Sequence, residues 1–155
     1  MLIQIAAAFF AILFISVVMN VPKKYLIYCG AVGATGWCVY LAGKEAFGVM
    51  IGSFMGAVVV SLISHILARV QKAPVTVFLI PGFLTLLPGS SLYYAVYQFF
   101  TGSEREGINY LIQTIQIAGV IAFGVFVVDS VFDVIRKNSL KKGDKYVQKE
   151  CKKDI

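Results

Sequence analysis

Long apolar runs separated by short polar or basic segments form the dominant pattern of this chain. Each run approaches the roughly 20 residues that an α-helix needs to cross the hydrocarbon core of a bilayer. The five runs lie at about 2–21, 25–42, 46–67, 75–100 and 108–128. The pattern predicts an all-α, polytopic integral membrane protein with about five transmembrane helices in residues 1–135, followed by a basic tail at residues 136–155.

Composition supports a membrane protein and excludes a water-soluble globule. Hydrophobic residues make up 59% of the chain and charged residues only 14%, whereas soluble domains contain about 25% charged residues. Eight of the fourteen Lys and Arg residues lie in the tail, which carries Tyr146 as its one aromatic residue. A nucleic-acid interface typically combines a basic stripe with stacking aromatics, so we expect no nucleic-acid partner.

The distribution of basic residues predicts an orientation. With the N-terminus outside and five crossings, the cytoplasmic side receives Lys23, Lys24, Arg69, Lys72 and the eight basic residues of the tail, twelve in all, and the outside receives Lys44 and Arg105. Short cytoplasmic loops are enriched in Lys and Arg. The count favours a cytoplasmic tail, which we expect to be disordered or a frayed extension of the last helix. Its roles would be to anchor the topology and to attract anionic headgroups.

The third run carries two stripes of small residues at intervals of four. One contains Gly48, Gly52 and Gly56, and the other contains Ser53, Ala57, Ser61 and His65. Small residues on one face allow close packing between helices in lipid, and this packing is the favoured interpretation. His65, the single histidine, could relay a proton near the cytoplasmic end, with Arg69 beside it. The alternative is a histidine bonded to a backbone carbonyl or a headgroup.

The fourth run contains two Pro-Gly pairs, Pro81-Gly82 and Pro88-Gly89. In a continuous helix Pro81 would leave the carbonyl of Val77 without its partner, and Pro88 would do the same to Leu84. Exposed backbone groups at membrane depth are tolerated only inside protein or beside a wet cavity. We therefore expect a helix broken at both pairs, although a simple proline kink is the alternative.

The residues after Pro88 predict a new half-helix. Ser90 and Ser91 suit its cap and first turn, and its free N–H groups and positive dipole end could hold a carboxylate. Ser90, Tyr94 and Tyr97 would share one face, with Tyr94 as a gate. Secondary transporters bind anionic substrate groups at half-helices of this kind.

Polar side chains also lie within the fifth run and just after it. Asn109, Gln113 and Gln116 fall within an arc of about 60° on one helix face, where they either hold helices together or line a polar path. Asp129 and Asp133 lie on the opposite side near the inner boundary. The favoured interpretation is a solvated helix end in which Asp133 pairs with tail residues, and ion coupling is the alternative.

Motifs for enzymatic chemistry are missing from the sequence. It contains no GxSxG, HExxH, Walker A or GxGxxG pattern, and one histidine with three cysteines at unsuitable spacings predicts no metal site. We expect no cofactor and no enzymatic activity. Cys29 and Cys38 are interpreted as packing residues.

The segment at residues 67–100 resembles the threonine/serine exporter family, specifically the small membrane subunit of its split, two-gene members. The matching pattern is, in order, Ala68-Arg69, Pro74, Pro81-Gly82, Leu87-Pro88-Gly89, and Tyr93 or Tyr94. Thr85 departs from it, because the family pattern has a further proline there. The resemblance implies export of threonine, serine or, in some members, dicarboxylates, driven by an ion gradient. It also implies a hetero-oligomer with a larger subunit in the plasma membrane.

Two classes of function remain open from the sequence. The leading hypothesis is a secondary exporter subunit with a substrate site at Pro81, Gly82, Pro88, Gly89, Ser90, Ser91, Tyr94, Gln113 and Gln116, and a proton or entrance site at His65 and Arg69. The alternative is a non-transporting scaffold that stabilises a partner membrane protein, in which the polar stripes only join helices. A passive channel is a third possibility.

Overall fold

Helices form all of the regular secondary structure in the computed structural model, which describes residues 2–102 and 104–151 and side chains up to Lys137. The six helices are α1 (Leu2–Val18), α2 (Leu26–Phe47), α3 (Val49–Gln71), α4 (Thr76–Phe83), α5 (Gly89–Phe100) and α6 (Glu104–Cys151). Short 3-10 turns at Lys23–Tyr25 and Leu84–Leu86 precede α2 and follow α4. The predicted all-α class is therefore correct.

Three stretches are long and apolar enough to cross a membrane: Lys23–Phe47, Val49–Gln71 and Glu104–Lys137. The pair Thr76–Leu86 and Gly89–Phe100, bent by 50°, makes a fourth candidate if it counts as one span. The apolar helix α1 is shorter, at 17 residues. Because apolar helices of this length need a lipid environment, the chain is a polytopic α-helical membrane protein.

Close backbone contact joins α2 to α3. A Cβ at position 52 would lie 2.7 Å from the Lys44 nitrogen and 2.9 Å from the Tyr40 carbonyl oxygen, so only glycine fits at this crossing. One turn on, Gly56 faces the carbonyl oxygen of Gly36. The prediction that the small-residue stripe packs helices together is confirmed for these positions. Gly48 has another role, because its φ of +90° makes the turn between the two helices.

The helix directions follow from which residues meet. Gly43 meets Gly52 whereas Gly36 meets Val60, so α2 and α3 run antiparallel. The rings of Phe54 and Phe123 lie 6.2 Å apart. Further along both helices, His65 lies against Phe132. Helices α3 and α6 therefore run in the same direction, with the α4–α5 pair between them along the chain.

The end of α2 and the burial of one cysteine differ from what the sequence predicted. Helix α2 continues through Lys44 and Glu45 to Phe47, because the sharp turn comes only at Gly48. Cys38 is exposed and does not pack in the interior, whereas Cys29 is fully buried. The backbone of α6 continues to Cys151; the sequence left both disorder and an extension of the last helix open for the tail, and the boundary at residues 135–136 stays a prediction. Residues 152–155 lie outside the described part of the chain.

Candidate functional site

The first Pro-Gly pair does not break the helix. Pro81 is buried inside α4, which continues to Phe83, so the expectation of two breaks is wrong at this position. The physical reason lies in α2, where the Cys29 thiol is 3.4 Å from the carbonyl oxygen of Val77 and donates a hydrogen bond to it. This is the carbonyl that Pro81 leaves without its helical donor. Another helix satisfies it, so α4 need not end there.

The second Pro-Gly pair coincides with a real break. After the 3-10 turn at Leu84–Leu86, Leu87 takes an extended conformation with φ −60° and ψ 134°, and α5 begins at Gly89. A residue before proline is disfavoured in the helical region, which accounts for the conformation of Leu87. The two helices meet at an angle of 50°. Of the two expected breaks, the structure forms the one at Pro88.

The N-terminus of α5 is open on the surface of the chain. Gly89 and Ser90 are exposed, Ser91 is half-buried, and a Cβ at position 89 would have no neighbour within 4 Å. No side chain caps the helix, so the expected capping by Ser90 or Ser91 is not formed. The first N–H groups of a helix lack intrahelical partners. Here the Gly89 N–H donates to the Leu87 carbonyl oxygen at 2.8 Å, which leaves the N–H groups of Ser90 and Ser91 for another molecule.

Tyrosines line the helix that follows the break. The Tyr93 ring stacks on Tyr97 with centroids 6.2 Å apart, and Tyr94 lies 5.7 Å from Tyr110 of α6. Tyr94 and Tyr97 are both about half exposed. Helix α5 makes its main contact with the first turns of α6, where Ala95 and Phe99 lie against Gly107. The surface of α5 that carries Tyr93, Tyr94 and Tyr97, the tyrosine face, therefore contacts α6 through Tyr94 and is otherwise exposed.

A groove of about 440 Å³ lies between the break and the middle of α6. Phe83 and Leu87 contribute from the break, and α6 contributes apolar residues from Ala118 to Phe126 together with Asp129. Asp129 is the single charged residue among those that line it. The walls that this chain supplies near the break are thus mainly apolar, with a carboxylate at one end.

The side chains of His65 and Asp129 form a hydrogen bond between α3 and α6. The His65 Nε2 atom lies 2.5 Å from the Asp129 Oδ1 atom. The His65 ring stacks on Phe132, with ring centroids 4.4 Å apart. The guanidinium carbon of Arg69 lies 5.0 Å from the centroid of the same Phe132 ring. Arg69 and His65 are therefore brought together through one aromatic side chain.

This pair bears on two expectations. His65 bonds a carboxylate and not the backbone carbonyl that was the alternative for it. Asp129 was expected at a solvated helix end, and its side chain is 49% exposed although it also bonds His65. Sequence reasoning missed the pairing, although both residues precede basic residues, Arg69 and Arg136, near the ends of their apolar runs. Among the described side chains, Asp133 forms no ion pair with Arg136 or Lys137.

The amides of α6 do not join the break in one cavity. Gln113 and Asn109 line a polar pocket of about 330 Å³ near the start of α6, with Glu106 and Tyr110. Gln116 lines a separate apolar pocket against the first half of α3. Gln113 shares this polar pocket with Tyr110, and the Tyr110 ring contacts Tyr94 of α5. Gln116 faces away from the groove at the break.

Taken together, these features define a polytopic membrane protein with an interrupted helix and a hydrogen-bonded histidine–carboxylate pair between two candidate spans. Interrupted helices of this kind occur in secondary transporters. The family described as "Threonine/Serine exporter, ThrE" matches residues 4–131 of the chain. The chain belongs to this threonine/serine exporter family. No curated protein and no solved structure matches it.

Proposed function

We propose that the chain is the small subunit of a secondary exporter that moves small amino acids, such as threonine and serine, or related small carboxylates out of the cell. Family membership supports the exporter class. The observation that carries the proposal is the break at Pro88, which leaves the N-terminus of α5 uncapped and exposed. Such an end attracts a carboxylate through its free N–H groups and its dipole.

In this proposal the substrate carboxylate binds at Gly89, Ser90 and Ser91. Pro88 keeps the two half-helices separate, and the buried Pro81 and Gly82 hold α4 against α2 and α3. Tyr94 lies one turn beyond Ser90 and gates the outer side. Gln113 contributes through the pocket beside Tyr110. Gln116, which the sequence also placed at the substrate site, lines a separate pocket beside α3, and this proposal gives it no contact with the carboxylate.

The same proposal places the chain in the plasma membrane, with the N-terminus outside and the C-terminus in the cytoplasm. Basic residues at Lys23, Lys24, Arg69 and Lys72 favour that orientation. The parallel packing of α3 and α6 supports a single crossing by the α4–α5 pair, because an even number of crossings would make them antiparallel.

A larger membrane subunit completes the site in this proposal. Gly89 and Ser90 are exposed in the single chain, and the groove beside them is mainly apolar. A hydrated path for a polar substrate needs polar walls. These features support a second chain that covers the tyrosine face of α5 and supplies the remaining walls.

The test is the double substitution Pro88→Ala with Gly89→Ala. Alanine restores the N–H at position 88 and removes the restriction on Leu87, so we expect α4 and α5 to straighten. Efflux of threonine or serine from loaded cells should fall by about tenfold or more, with normal membrane insertion. The matched control, Pro74→Ala, replaces an exposed proline before α4 and should leave efflux unchanged. Unchanged efflux in the double variant would contradict the proposal.

A scaffold that stabilises the larger subunit is the second candidate, favoured by the apolar lining of the groove. Reconstitution of both subunits in vesicles separates the two functions. Saturable flux that depends on both chains supports the exporter and argues against a passive channel. Flux through the larger subunit alone, with this chain affecting only its abundance, supports the scaffold.

A further inference from the structure

The hydrogen bond between His65 and Asp129 joins α3 to α6 by their side chains. The His65 side chain is 14% exposed and the Asp129 side chain 49%. Charged groups inside a membrane protein are costly unless they are paired, and they commonly mark ion pathways. If the pair served only to hold α3 to α6, its desolvation would cost free energy that apolar packing, such as that between Phe54 and Phe123, does not cost.

Few other charges surround the pair. Helix α3 contributes Arg69, one turn beyond His65, and α6 contributes Asp133, one turn beyond Asp129 and exposed to solvent. Phe83 and Leu87, from α4 and the segment after it, face Asp129 across the groove and carry no titratable group. The near environment of the pair is therefore mainly apolar.

The groove connects this pair to the broken helix. Leu87, which takes the extended conformation at the break, lines the same cavity as Asp129. One turn before His65 on the same face of α3, Ser61 is fully buried and its hydroxyl has no hydrogen-bond partner among the described residues. Polar groups thus extend from the pair along α3, and the cavity extends from it to the half-helix.

We propose that His65 and Asp129 form the proton-binding site that couples this transporter to the proton gradient. The inference rests on the proposed function and deepens it by naming the two residues that bind the coupling proton. One proton binds to the pair of neutral imidazole and carboxylate, which carries one negative charge. The product is a neutral pair of imidazolium and carboxylate, and release of the proton reverses the step.

Protonation changes two properties of the pair. A neutral ion pair is easier to enclose in an apolar groove than a net negative charge, and the imidazolium attracts the carboxylate more strongly. The protonated pair therefore favours closely packed α3 and α6, and the deprotonated pair favours their separation. Because the groove contains Leu87, this change alters the space around the break and so couples proton binding to substrate binding.

The experiment reconstitutes the chain with its larger subunit in vesicles that contain a pH-sensitive dye. L-Threonine, L-serine and succinate serve as separate probes. The first flux is exchange of labelled for unlabelled probe without a pH gradient, and the second is accumulation of labelled probe driven by a pH gradient. We expect Asp129→Asn and His65→Gln to retain exchange and to lose driven accumulation by about tenfold or more. Probe-dependent proton movement should also disappear.

Two further variants sharpen the result. Asp133→Asn removes a carboxylate one turn from Asp129 and should leave both fluxes unchanged. Asp129→Glu keeps a titratable carboxylate and should retain measurable driven accumulation.

The outcomes separate the two proposals. Driven accumulation of wild-type size in Asp129→Asn would overturn the proton assignment, and so would a wild-type complex in which net movement of a probe is accompanied by no proton movement. Loss of exchange together with accumulation in well-folded variants would also overturn it, because the pair would then serve the substrate path or the architecture. A wild-type complex that exchanges none of the probes would contradict the proposed function itself, and the proton assignment with it.

Discussion

The Cys29 thiol donates a hydrogen bond to the carbonyl oxygen of Val77, the acceptor that Pro81 deprives of its helical partner. A residue of α2 thus satisfies the one carbonyl of α4 that Pro81 deprives of its helical hydrogen bond. The contact lies beside the edge-to-face packing of Tyr25 on Phe78, whose ring centroids are 5.3 Å apart. It explains why a proline inside α4 does not end the helix, whereas Pro88 does separate two helices.

We predict that the effects of Cys29→Ala and Pro81→Ala on stability are not additive. In the native background Cys29→Ala leaves the Val77 carbonyl without a donor, and we expect a loss of about 1 kcal/mol in unfolding free energy. In the Pro81→Ala background the backbone N–H of residue 81 can bond that carbonyl, so the loss should be smaller. Unfolding of the four proteins in detergent gives the double-mutant cycle. Equal losses in both backgrounds would show that the hydrogen bond has no role.

We predict that Gly52→Ala strongly destabilises the chain and that Gly119→Ala does not. A methyl group at position 52 would meet backbone atoms of Lys44 and Tyr40, which cannot rotate away, so α2 and α3 must separate at a cost of about 1–3 kcal/mol. Position 119 has open space around it and lies within α6, where alanine is the better helix former. Thermal unfolding in one detergent compares the two variants. Equal midpoints would contradict the close crossing of α2 and α3.

We predict that Lys72 and Glu104 lie on opposite sides of the membrane. In a background with Cys29, Cys38 and Cys151 replaced by serine, Glu104→Cys should react with a membrane-impermeant maleimide in intact cells, and Lys72→Cys should react only after permeabilisation. The physical basis is the single crossing that we propose for α4–α5 and the basic residues beside Lys72. Labelling of both from one side would indicate a re-entrant α4–α5 pair, and the reverse pattern would indicate an inverted chain.

We predict that Gly107→Leu impairs transport more than stability. A Cβ at position 107 would lie 3.2 Å from the Ala95 carbonyl oxygen and from the Phe99 ring, so a larger side chain must push α5 away from α6. The contacts among α1, α2, α3 and α4 lie elsewhere and should persist. Efflux should fall by about tenfold, with a smaller shift in unfolding midpoint than for Gly52→Ala. Normal efflux would mean that the position of α5 against α6 is unimportant.

Local physical rules made much of this fold predictable. Apolar runs of spanning length require helices in lipid, because no other open structure satisfies the backbone there. Pro88 restricts Leu87 and lacks an N–H, so the break at the second Pro-Gly pair follows from two adjacent residues. The small-residue stripe at Gly52 and Gly56 indicates a close helix contact from the sequence alone, and the structure shows that the neighbour is α2.

Contacts between distant residues were decided only by the tertiary structure. Cys29 and Val77 are 48 residues apart, and His65 and Asp129 are 64 apart. Their meeting depends on which helices become neighbours and how each is rotated about its axis, and residue periodicity specifies neither. The sequence by itself therefore determined the membrane class, the helices and the break at Pro88. Packing between helices decided that Pro81 is tolerated and that the single histidine faces a carboxylate.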